Sequence, residues 1–203
     1  MLNEKRIFFQ SGDLTLEGLF ADAGSEKGAV VSHPNPVMGG TMHNNVVECL
    51  VRAFYENGFS TLRFNFRGAG RSEGDFDEGA GEQDDLDNAI SFLMAAGVKT
   101  VSLAGYSFGA WVTANYLRAG PPVDRVILVA PPVSVDRFPG ENIAGHVDLV
   151  VCGDRDPFCR VEDIVSFADT VRSKIMLISG ADHFFAGKEG RLMKILQEEG
   201  FSL

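Results

Sequence analysis

The sequence predicts a three-layer α/β domain, a mostly parallel sheet with helices on both faces. Three observations carry that expectation: short apolar runs, amphipathic stretches alternating with them almost to the end, and an opening pair of alternating segments around a turn. Residues 5–11 and 14–21 alternate apolar and polar across Ser11-Gly12-Asp13 and read as a β-hairpin. Residues 29–32, 60–64, 101–104, 126–130, 147–152 and 175–178 are near-continuously hydrophobic. A strand covered on both faces demands that pattern. Eight strands, all but the first two separated by helices, specify the layered architecture.

The helices follow from spacing and punctuation. Val46, Val47, Leu50, Val51 and Phe54 share one face, and Gly58 supplies the stop. Leu86, Ala89, Ile90 and Leu93 do the same, with Asp84 and Asp85 expected in the first turn, where negative charge suits the helix dipole. A third helix starts near Ser107 and ends at Gly120-Pro121-Pro122. Ile164, Phe167, Ala168 and Val171 mark a fourth, and Leu192, Ile195 and Leu196 a fifth. No repeat, low-complexity tract or linker interrupts the chain, so residues 1–203 are expected to form a single domain. The one long irregular stretch, 67–81, is rich in Gly, Asp and Glu. Loops of that length in compact domains are usually functional or mobile.

Composition narrows the function. A chain of 203 residues buries about 70% of the surface its unfolded form exposes and needs no disulfide or metal to fold. Eighteen basic against 28 acidic residues leave a formal charge of −10. Such a surface repels phosphate backbones and anionic lipid, which argues against nucleic-acid and membrane partners. No apolar run approaches the roughly 18 residues needed to span a bilayer, and the N-terminus lacks the apolar core of a signal peptide. A cytoplasmic protein is expected. Cys49, Cys152 and Cys159 are at no zinc-ligand spacing. Cys49 and Cys152 read as core residues; Cys159, on a loop, is left open. The acidic residues Glu82, Asp84, Asp85 and Asp87 read as a solvated helix start, not as a metal site.

The strongest local signal is Gly105-Tyr106-Ser107-Phe108-Gly109, between a strand and a helix. A serine on so sharp a turn exposes its Oγ, and the turn leaves no room for side chains two positions either way. Free N–H groups of the helix start then face a developing oxyanion. A serine hydroxyl needs a base, oriented in turn by an acid. Gly153-Asp154-Arg155-Asp156 and Gly180-Ala181-Asp182-His183 each follow a strand, with Asp156 49 residues beyond Ser107 and His183 another 27 beyond that. Of the four histidines, His146 lies at the wrong end of its strand, His43 opens a helix, and His33 precedes the serine; His183 is the expected base. Asp154 directly follows the turn glycine, where aspartate often bonds its own backbone, so Asp156 is favoured as the acid. Two backbone donors are needed for the oxyanion. Phe108 N–H is one. In Ser32-His33-Pro34-Asn35-Pro36 the prolines have no N–H, which leaves Asn35, unless the segment is only a stiff turn.

Read together, these segments and Arg63-Phe64-Asn65-Phe66-Arg67-Gly68-Ala69-Gly70-Arg71-Ser72 resemble the α/β-hydrolase superfamily over nearly the whole chain. The His-Pro-x-Pro loop and the Ala181-Asp182-His183-Phe184-Phe185 ending are similar to small bacterial hydrolases related to dienelactone hydrolase. The resemblance implies a Ser–Asp–His triad and an eight-stranded sheet whose second strand is antiparallel. Dienelactone enzymes proper use cysteine; serine here points to esterase-type chemistry on a small ester-like or thioester substrate, with no cofactor. Many members insert a helical lid where this chain has only residues 131–145, so no lid domain and an open site are expected. Met38, Phe158, Phe184 and Phe185 lie on nearby loops and are candidates for an acyl pocket, although such aromatics also commonly close a core.

Rival readings remain. Gly68, Gly70 and Gly74 follow a strand, but their spacing and the acidic setting suit a dinucleotide loop poorly. A non-catalytic receptor or partner-binding protein could use the same fold. Esterase, thioesterase, amidase and perhydrolase share this machinery, and a homodimer is compatible with the sequence.

Overall fold

The computed structural model describes residues 2–135 and 137–201. The opening hairpin is β1 (Lys5–Ser11) and β2 (Leu14–Ala21). There follow β3 (Lys27–Ser32), α1 (Asn45–Glu56), β4 (Ser60–Phe64), α2 (Ala80–Ala95), β5 (Thr100–Tyr106) and α3 (Phe108–Tyr116). β6 (Val126–Val129), β7 (Leu149–Gly153), α4 (Val161–Val171), β8 (Lys174–Ile178) and α5 (Glu189–Glu199) complete the described chain. The eight strands form one sheet in the order β1-β2-β4-β3-β5-β6-β7-β8. β2 runs antiparallel to both neighbours, and every other pairing is parallel. This is the α/β-hydrolase topology, with its antiparallel second strand.

Period two divides the apolar residues between two cores. Val126 and Leu128 of β6 face α2, α3 and α4, whereas Ile127 and Val129 face α1 and α5. β7 repeats the split, with Val150 and Cys152 on the first side and Leu149 and Val151 on the second. Each fully buried side chain of this kind contributes about 1.5–3 kcal/mol. Differences from the sequence-based boundaries have local causes. β6 stops at Val129 because Ala130 takes a positive φ of 43°. β7 begins two residues later than expected, at Leu149, because Asp148 turns its carboxylate onto Val126 N–H at 2.7 Å.

The reading of residues 82–87 as a solvated helix start requires correction. α2 begins at Ala80, ahead of the acidic cluster, and both Glu82 and Asp85 are completely buried; only Asp84 and Asp87 face water. Glu82 accepts hydrogen bonds from the N–H groups of Gly79 (2.7 Å) and Asp77 (2.9 Å), tying down the helix start. Asp85 accepts from Ser11 Oγ (2.7 Å), Arg67 N–H (2.9 Å) and the Arg67 guanidinium (2.8 Å). Arg67, eighteen residues upstream, supplies the counter-charge that helix spacing alone does not reveal.

The irregular stretch is equally anchored. Glu73 N–H donates to Thr15 O, Arg71 N–H to the Glu17 carboxylate, and Ser72 Oγ to Asn65 O. The amides of Gly68, Ala69, Arg71, Ser72 and Glu73 are occupied, and the Glu82 carboxylate already covers the helix N-terminus, where a pyrophosphate would have to bind.

Removing one member of a buried ion pair strands the other. Asp85→Ala is therefore expected to lower the unfolding free energy by about 3 kcal/mol or more, read by urea denaturation. A loss below about 1 kcal/mol, the range of an exposed pair, would contradict this account.

Candidate active site

The carboxyl ends of β3, β5, β7 and β8 converge on one rim of the sheet. β5 passes into α3 through Ser107, at φ 55° and ψ −118°. A non-glycine residue held there stores about 1–3 kcal/mol of strain. The Ser107 N–H donates to Val129 O at 3.0 Å and fixes the turn against β6. Close approach explains both motif glycines. A Cβ on Gly105 would lie 2.3 Å from Gly109 O, and one on Gly109 would lie 2.5 Å from Ser32 O at the end of β3.

Two loops bring their side chains to this serine. His183, on the loop after β8, has Nε2 2.9 Å from Ser107 Oγ. Its Nδ1 lies 2.7 Å from Asp156 Oδ2, on the loop after β7. With Nδ1–H donating to the carboxylate, Nε2 is left to accept from the serine hydroxyl. Asp156 Oδ1 also accepts from Phe158 N–H at 2.8 Å, and Asp156 and His183 are both buried. Asp154 acts elsewhere, accepting from Gly180 N–H at 2.6 Å and so clipping the β7 loop to the β8 loop. The Tyr106 hydroxyl donates to His183 O at 2.9 Å, and burial raises its pKa, so it stays a donor. Phe158 meets the imidazole edge-on at 4.8 Å. His43 and His146 are exposed, and His146 precedes β7, at the opposite end of the sheet from this relay.

The loop after β3 is folded around Asn35. Asn35 O accepts from Met38 N–H (3.1 Å) and Gly40 N–H (2.9 Å), and its Oδ1 accepts from Val37 N–H (2.8 Å). A Cβ on Gly40 would lie 2.1 Å from Pro34 O, so only glycine closes this turn. His33 anchors its base: Nδ1–H donates to Pro34 O at 2.6 Å, and Nε2 accepts from Phe66 N–H at 3.0 Å. Phe108 heads α3, where first-turn N–H groups have no carbonyl partner within the helix. Its ring is held by Phe66, Phe76 and Trp111, with centroids 5.9, 5.5 and 6.0 Å away. Phe76 and Gly79 belong to the acidic stretch, and Gly79 leaves no room for a Cβ beside the Trp111 ring. The stretch therefore buttresses the start of α3.

A cavity of about 390 Å³ opens above Ser107, and Asn35, Phe108, Met38, Phe158 and Phe184 all line it. Phe185 does not. It is completely buried in the core beneath α5, against Tyr106, because a φ of 54° turns it inward as the chain leaves His183. Sequence reasoning missed Pro132, Val135 and Asn44, which also line the cavity. The Gly39-Gly40 pair was a legible sign of a tight loop; Pro132 and Val135 carry no motif. Cys152 and Cys159 are fully buried and Cys49 half-buried, and all three are free. Burial raises the Cys49 thiol to about 11, and contact with Cys159 together with burial raises Cys152.

Burial lowers the His33 imidazole to about 4, against the opposing pull of Pro34 O and Asp85. Protonation would set two donors, Nε2–H and Phe66 N–H, face to face. Because the folded value lies below the unfolded one of about 6.5, this contribution is complete above pH 6.5 and is lost as pH falls toward 4. The shift corresponds to about 3 kcal/mol. Urea unfolding of wild type and His33→Gln at pH 7 and pH 4 should show the wild-type advantage shrinking by about that amount; a constant difference would count against it.

The comparisons with known proteins agree with this fold. The family model described as serine aminopeptidase, S33, matches residues 28–147. The uncharacterized protein RP471 of Rickettsia prowazekii is 32% identical over 212 residues, spanning 95% of this chain and 87% of that protein. An alpha-beta serine hydrolase homologue from Coxiella burnetii is 32% identical with a TM-score of 0.90, covering 100% of this chain and 99% of the other. An α/β serine hydrolase without lid from Xanthomonas campestris is 31% identical with a TM-score of 0.86, covering 97% and 93%. The dienelactone grouping is not specifically supported by these matches. The chain belongs to the serine aminopeptidase S33 family of the α/β-hydrolase superfamily, and it is a hydrolase.

Proposed function

We propose that the protein hydrolyses a small ester or thioester through an acyl-enzyme on Ser107. The observation that carries this reading is the continuous hydrogen-bonded relay from Ser107 through His183 to Asp156, with steps of 2.9 and 2.7 Å. His183 Nε2 takes the hydroxyl proton as Oγ attacks the carbonyl carbon, and Asp156 stabilises the imidazolium. The N–H groups of Phe108 and Asn35 hold the oxyanion. Collapse of the tetrahedral intermediate expels the alcohol or thiol, which takes its proton from His183. Water, activated by the same imidazole, then releases the acid and restores Ser107. The three free thiols suit a reducing, cytoplasmic setting.

Ser107→Ala is expected to lower kcat on p-nitrophenyl butyrate by about 10⁴-fold or more, with urea stability close to wild type. A fluorophosphonate probe should label wild type at Ser107 and not the variant. A receptor built on this fold would leave Ser107 unlabelled, and hydrolysis that survives the substitution would end the mechanism.

A further inference from the structure

The cavity above Ser107 has an uneven character from floor to rim. Its floor is made by buried groups, Tyr106, Phe108 and His183. Its rim carries Met38, Val135 and Phe184, which are 79%, 61% and 59% exposed. With Val37, next to Met38, these are four of the eight large apolar side chains that the described residues leave exposed. Half of the exposed apolar bulk is thus gathered around one opening. Scattered single apolar residues need no explanation, but a contiguous patch beside a cavity marks a binding surface.

The rim residues come from three separate loops, after β3, β6 and β8. Among the described residues, the connection after β6, residues 130–148, holds no α-helix that could cover them. Among the described residues that line the cavity there is no Lys, Arg, Asp or Glu. Apart from the relay, the polar side chains there are Asn35, Asn44 and the Tyr106 hydroxyl, and each is uncharged. Asn35 and Asn44 accept from backbone N–H groups, and Tyr106 donates to His183 O. An ionised group entering this space would lose water without gaining a counter-charge. An aliphatic chain would instead cover the rim and take its apolar surface out of water.

Resting on the acyl-enzyme reading above, we propose that the substrate is an uncharged ester with an aliphatic acyl chain of about four to eight carbons, a length that fits the space between Ser107 and the apolar rim. A volume of 390 Å³ accommodates about a dozen non-hydrogen atoms at the share water takes in the liquid. That is room for the ester group, a small leaving group and a chain of this length. Met38, Val135 and Phe184 are the specificity-determining side chains. A free α-ammonium, the feature that an aminopeptidase substrate presents, finds no carboxylate among the described lining residues.

The test compares kcat/KM on p-nitrophenyl acetate, butyrate, hexanoate, octanoate and dodecanoate. Three charged probes accompany them: the 6-aminohexanoate ester, the adipate half-ester and the leucine ester. The value should rise by up to about fourfold per added methylene as far as hexanoate or octanoate, then fall at dodecanoate. Each charged probe should be at least about 30-fold slower than hexanoate. Met38→Ser and Phe184→Ser should flatten the rise, read as the ratio of kcat/KM on hexanoate to that on acetate, which should fall by about fourfold or more because polar side chains on the rim forfeit the chain contact. A flat or falling profile with Ser107 still labelled by fluorophosphonate overturns the chain-length assignment alone. A leucine ester faster than hexanoate overturns it in favour of aminopeptidase specificity. If no ester is cleaved and Ser107 is not labelled, the serine-hydrolase reading fails, and this inference falls with it.

Discussion

The close contact between the start of α3 and the end of β3 governs everything else at this rim. Gly109 sits so near Ser32 O and His33 O that any side chain would push helix and strand apart. Because the contact is backbone to backbone, it sets the height of α3 over the sheet and thereby the position of Ser107 and the Phe108 N–H. It also joins the nucleophile turn directly to the base of the Asn35 loop. One steric condition therefore aligns the attacking oxygen with both proposed oxyanion donors.

Buried polar groups extend that alignment outward. His33 ties the Asn35 loop to Phe66 N–H, and Asn65 accepts from Met42 N–H at the far end of the same loop. Arg63 donates to Met42 O and pairs with Glu4 at 2.6 Å. The loop is thus clamped at both ends by residues of, or just beyond, β4. The acidic stretch adds a second support, with the Arg67–Asp85 pair holding it down and Phe76 pressing on Phe108. Such pairs are costly to break and contribute little net stability when intact. Here they fix backbone positions around the cavity.

The sheet was largely legible because its signals are local. Period-two alternation marked β1 and β2, apolar runs marked the buried strands, and Gly105 with Gly109 marked the turn at Ser107. Asp154 and Asp156 could be told apart from their distance to the turn glycine, although Asp154 accepts from Gly180 N–H on the β8 loop and not from its own backbone. Long-range pairing was not legible. Asp85 looked solvated because its partner, Arg67, lies in a segment without periodicity. Phe184 and Phe185 are adjacent and chemically identical, yet one lines the cavity and the other fills the core. A positive φ at Phe185 decides between them, and no residue preference announces it. Val135 was missed for a related reason: a loop residue that touches a site only through folding leaves no mark in its neighbours.

The stacking of Trp111 on Phe108 has an optical consequence. The chain contains a single tryptophan, and its indole lies nearly parallel to the Phe108 ring, with an interplanar angle of 15°. Its Nε1–H donates to Arg137 O at 3.1 Å, on the connection that also supplies Val135. All tryptophan emission from this protein therefore originates one ring away from the cavity wall. Intrinsic fluorescence becomes a site-specific signal without any engineered dye, able to follow ligand entry by stopped-flow.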